Sequence, residues 1–131
     1  METKYINIPP NNKWGVIVVY NFDTNRDAVE LIAIMRSFGM SLFNAKKALN
    51  ILSDYNTGMA LSLDDLRMSA IFIGKATSAE QFWDSVNHEL YHVNTSIIDY
   101  YNEPYNEEGA AYLQGWLMRQ VVLLLGEPCY Q

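Results

Sequence analysis

The sequence predicts an α+β fold, a small β-sheet with about four helices, and three observations carry that expectation. Trp14 to Tyr20 is a β-branched run, apolar on both faces from Val16 through Val19, as in a buried strand. Two short apolar runs, Met59 to Leu63 and Met68 to Ile73, flank Asp64-Asp65, which marks a turn between two strands. Farther along, Phe82, Val86, Leu90, Val93 and Ile97 recur at spacings of four, four, three and four, drawing one apolar stripe down a helix.

The remaining elements follow from caps and breakers. Thr24-x-x-Asp27 opens a first helix that carries Val29, Ile32, Ala33 and Arg36 and closes at Gly39. Ser41 caps a second, with Phe43, Ala48, Leu49 and Leu52 apolar, which closes before Asn56 and Gly58. The third is introduced by Thr77-Ser78-Ala79-Glu80, a capping box in which the Thr77 hydroxyl accepts from the Glu80 N–H; the helix then starts at Ser78. Asn102 and Pro104 end it near Tyr101. A fourth runs from an N-cap at Asn106 to Leu125, with Leu113, Leu117, Val121 and Leu124 as its buried stripe.

The third helix holds the chemistry. His88-Glu89-Leu90-Tyr91-His92 spells HExxH with both of the chain's two histidines. Side chains four apart on a helix lie one above the other, so two imidazoles can reach one zinc ion. Glu89, one residue round, falls on the border between the polar flank of Ser85, His88, His92, Thr95 and Asp99 and the apolar stripe. In this design the glutamate is the general base: it takes a proton from the attacking water and later passes it to the leaving amine. A third ligand has to come from a separate element, and Glu107 and Glu108 at the start of the fourth helix offer one. Both residues also suit a helix N-terminus for its exposed N–H groups alone. The small residues Gly109, Ala110, Ala111 and Gly115 favour ligation, because they predict close approach of the HExxH helix.

His-Glu-Leu-Tyr-His-Val, followed after a short loop by Glu-Glu-Gly-Ala-Ala-Tyr-Leu-Gln-Gly-Trp-Leu, resembles the gluzincin branch of zinc metallopeptidases. More narrowly, it is similar to short metallopeptidases encoded by bacteriophages and prophages, sharply over residues 67 to 118. The resemblance implies a zincin-like fold and peptide-bond hydrolysis, with His88, His92 and Glu108 as metal ligands and Glu89 as base. Trp116 stands where Tyr is usual and Gly109 where Ala is commoner. Glu108 lies in line with Tyr112 and Gly115, whereas Glu107 shares a side with Ala111 and Met118. Tyr112, one turn from Glu108, is the candidate to donate a hydrogen bond to the oxyanion, ahead of Arg119. By analogy with zincins, an extended peptide would pair as an added strand along Gly58 to Leu63.

Composition bounds the partners. With 131 residues, half of them apolar, residues 1–131 are expected to form one domain with its own core. Net charge is −6 and the nine Lys and Arg are scattered, so no nucleic-acid surface is expected. Met1 to Pro10 has neither a basic nor an apolar signal segment, and Val121 to Leu125 is too short to span a bilayer. A cytoplasmic, reducing setting in a bacterial host is expected, and Cys129, the single cysteine, is read as incidental. The expected partner is a peptide or protein substrate. The competing reading is an inactive zincin-fold binding or assembly protein of a phage or mobile element, against which an intact Glu89 speaks.

Overall fold

The computed structural model describes residues 1–8, 14–101 and 106–131. Among these residues four strands and four helices follow one another in pairs: β1 (Glu2–Asn7), β2 (Gly15–Tyr20), α1 (Ala28–Ser37), α2 (Leu42–Leu52), β3 (Gly58–Leu63), β4 (Met68–Ile73), α3 (Ala79–Tyr100) and α4 (Glu107–Leu125). The fold is α+β, as the sequence predicts. In the sheet the order is β1-β2-β4-β3: β2 and β4 run parallel at the centre, and β1 and β3 flank them antiparallel.

The two-residue period of the strands sorts side chains onto two faces. Val16, Val18, Tyr20, Ile71 and Ile73 pack under α3 and α4 with Phe82, Val86, Leu90, Val93, Ile97, Leu117 and Val121. Val19, Ala70 and Phe72 pack on the other side with Leu31 and Met35 of α1 and Ala45, Ala48 and Leu52 of α2. The doubly apolar run read in β2 is therefore what a central strand covered on both faces requires. Every residue of the predicted α3 stripe is buried.

Several expectations are corrected. β1 has no counterpart among the sequence expectations: Ile6 is its one buried residue, and a polar edge strand has no apolar period to read. The turn at Asp64-Asp65 is present as a short 3-10 segment ended by Arg67 in the left-handed region. α1 buries Leu31 and Met35, while Val29 is 82% exposed. Phe43 is also exposed, and α2 seats Ala45 in its place. The N-cap of α3 is Ser78, not Thr77, and accepts from the Gln81 N–H. Thr77 is engaged elsewhere: its N–H donates to Asn56 Oδ1 at 3.0 Å, and Asn56 Nδ2 donates to its hydroxyl at 3.2 Å. This clamp ties the start of α3 to the approach of β3. The stop expected from Asn102 and Pro104 lies outside the described residues; α3 ends at Tyr100 with Tyr101 as C-cap.

α4 begins where expected, with Asn106 accepting from the Gly109 N–H. Its contact with α3 is not the predicted small-residue seam. Gly115 has nothing within 4 Å of where a Cβ would sit, and Gly109 meets only its own cap residue. The helices meet instead through amides: Asn94 donates to the Ala110 carbonyl and to Gln114, and Gln114 donates to the side chain and carbonyl of Asn87. Leu117 and Val121 are buried, but Leu124 stands 37% exposed. No described helix is long and apolar enough to cross a membrane.

Candidate metal centre

His88, Glu89 and His92 all lie in α3, on the flank that faces β3. Each contributes a ligand atom, and the three atoms fall within 4.8 Å of one another. The imidazole rings stand 5.1 Å apart between centroids with planes at 72°. Two nitrogens bound to one tetrahedral zinc would be about 3.4 Å apart, so small torsional changes suffice to bring both onto one ion. The donor set fits a borderline-soft divalent cation. His88, Glu89 and His92 thus form a group that could hold a metal ion.

Burial differs within the group. Both histidines are exposed, whereas Glu89 is only 6% exposed. Burial pushes the Glu89 carboxyl above its ordinary range, and the charge of His88 and His92 offsets only part of that rise. No hydrogen bond from a described residue reaches that carboxylate. It is a poised acceptor, held by packing and by the two imidazoles.

A trough runs between α3 and β3 with this group at its middle. On one side a depression of about 460 Å³ is lined by Met59, Ala60, Ser62, His92, Thr95 and Ser96. On the other, one of about 350 Å³ is lined by Asn56, Thr57, Gln81, Asp84 and Ser85. Gly58, His88 and Glu89 belong to both. Among the described residues β3 pairs only with β4, which leaves its other edge unpaired by any of them and bordering the trough. Ala60 packs toward α3 while Met59 and Leu61 pack toward α2, which places Gly58, Ala60 and Ser62 on the trough side.

The residues expected from α4 are not brought to this group. Glu107 and Glu108 are both exposed, Tyr112 is 76% exposed, and none of them lines the trough. The helical wheel gives the reason. α4 turns Ala110, Gln114, Leu117 and Val121 toward α3 and the sheet, and Glu108, Tyr112 and Arg119 then lie on roughly the opposite side. Gly58 lines the trough within the expected substrate edge and Thr95 on the expected polar flank, whereas Ser96 and the close approach of Gly58 to Glu89 are not in the sequence reading. A glycine opening an apolar strand was the available signal for Gly58, since it marks close approach of another group.

No family model, curated protein or solved structure matches this chain.

Proposed function

We propose that the chain is a zinc-dependent hydrolase of peptide bonds, with His88 and His92 holding the ion and Glu89 acting as general base. The observation that carries this reading is the convergence of His88, Glu89 and His92 within 4.8 Å in an open trough beside an unpaired strand edge. When bound, zinc supplies Lewis acidity and lowers the pKa of water toward neutrality.

The chain's own residues do the rest. An extended peptide can lie along β3, paired to its free backbone N–H and C=O groups, with the scissile bond near the centre of the trough. Glu89 takes the proton of the attacking water as the new C–O bond forms. It then delivers that proton to the amine nitrogen as the C–N bond breaks. Its burial, which favours the protonated form, suits the second half of that role. Resemblance to the short phage and prophage enzymes supports a peptide or protein substrate and a cytoplasmic setting.

The position of Glu108 outside the group favours a second reading, a zincin-fold binding or assembly protein of a phage or mobile element. Glu89→Gln separates the two. In a hydrolase the variant keeps its zinc, measured by metal analysis of the purified protein, and cleavage of a peptide library falls about 10² to 10⁴-fold. Equal residual cleavage by wild type and variant would sink the hydrolase reading.

A further inference from the structure

Gly58 opens β3 at the point where the strand passes Glu89. A Cβ built there would stand 2.8 Å from Glu89 Oε2, 2.9 Å from Cγ and 3.1 Å from Cδ. Carbon atoms do not approach one another that closely, so a side chain of any kind at 58 and the observed Glu89 rotamer exclude each other. Glu89 is buried yet borders the depressions on either side of it, so a side chain at 58 must displace the carboxylate from where it stands. Gly58 does not have a positive φ, so its backbone conformation is one that alanine adopts. Conformational freedom is thus not the reason for a glycine here. The reason is the space that the carboxylate fills.

We infer that Gly58 is a positioning residue for Glu89: the missing side chain on the edge strand is what lets the carboxylate stand beside both imidazoles. The inference has two parts that fail separately. The contact between Gly58 and Glu89 is a property of the fold, whereas its consequence for turnover rests on the hydrolase reading.

A double-mutant cycle on the metal-free full chain tests the contact without reference to activity. In the wild-type background, Gly58→Ala should lower the Tm by about 5 °C, through overpacking against Glu89. In the Glu89→Ala background the obstacle is gone, and the same change should raise the Tm by about 2 °C, because alanine restricts the unfolded chain. An equal drop in both backgrounds overturns the inference, since Gly58 would then serve the strand alone. If Gly58→Ala does not fold, a folded double variant supports the contact and an unfolded one overturns it.

With zinc bound, Gly58→Ala should retain one equivalent of metal and lower kcat by about 10 to 100-fold, with KM changed less than about twofold, as expected when a base is misplaced rather than substrate binding lost. Undiminished kcat overturns the positioning role. Absence of cleavage by every variant, wild type included, removes the hydrolase reading and leaves the stability cycle to decide the contact.

Discussion

α3 and α4 are neighbouring helices of similar length, yet only one of them presents its motif residues to the trough. On α3 the wheel places Ser85, Glu89 and Ser96 between the apolar stripe and the His88-His92 line, and because Ser85 and Glu89 are themselves buried, docking the stripe on the sheet leaves the imidazoles at the rim that faces β3. On α4 the buried side and the Glu108-Tyr112 line are opposed, so docking the helix turns that line to solvent. A motif is presented by the packing of its own helix, and two helices can satisfy a sequence pattern while only one delivers it.

The sharpest way to break this comparison is to remove one candidate ligand from each helix. His88→Ala or His92→Ala should abolish zinc binding by the purified protein, with loss of whatever stability the ion contributes. Glu108→Ala should retain zinc with affinity changed by less than about threefold, an effect under about 1 kcal/mol. Equal metal loss by Glu108→Ala and His88→Ala would mean that α4 reorganises when metal binds, and the ligand set implied by the gluzincin resemblance would stand. Titration calorimetry with zinc reads both outcomes.

The cores of the two helices should also differ. Leu90→Ala removes a fully buried side chain from under the motif and should cost about 2 to 5 kcal/mol in urea unfolding. Leu124→Ala, at a site the sequence assigns to the buried stripe but which is partly exposed, should cost about 1 kcal/mol or less. Similar costs would show that α4 is seated more deeply than its exposure indicates.

What was legible divides along the same line. The α3 stripe, the caps at Ser41 and Asn106 and the central β2 and β4 follow from local rules, since burial period and capping chemistry are written in adjacent residues. The edge strand β1, the clamp between Asn56 and Thr77 and the outward turn of Glu108 depend on partners distant in sequence, and no local pattern encodes them. Gly58 is intermediate: the glycine is visible, but the carboxylate that fills its space lies 31 positions away.

Asn94 carries the joint between the two helices. Its amide nitrogen donates to the Ala110 carbonyl and Gln114, and its amide oxygen is buried without a partner among the described residues. Asn94→Ala removes both donations, one to Gln114 and one to a carbonyl that keeps its intrahelical partner, at a cost of about 1 to 3 kcal/mol. Asn87→Ala, which leaves Asn94 in place and sits at an exposed contact, should cost less than about 1 kcal/mol. If the two are equal, the joint is spread along the helices rather than anchored at Asn94.

The smallest effect has the most telling sign. The sequence reads Gly115 as part of a small-residue seam against α3, in which case alanine would force the helices apart and destabilise the protein. In the structure Gly115 is exposed in mid-helix, with nothing within 4 Å of a built Cβ and no positive φ. Glycine at such a position is unfavourable relative to alanine, because it leaves the unfolded chain more freedom and contributes nothing to the helix. Gly115→Ala should therefore stabilise by about 0.5 to 1 kcal/mol, a rise in Tm of about 2 to 4 °C. A fall in Tm for the metal-free, monomeric protein would place another backbone against α4 at this point and reverse the assignment of its outer side; a rise leaves Glu108 and Tyr112 on a helix face that stands exposed among the described residues.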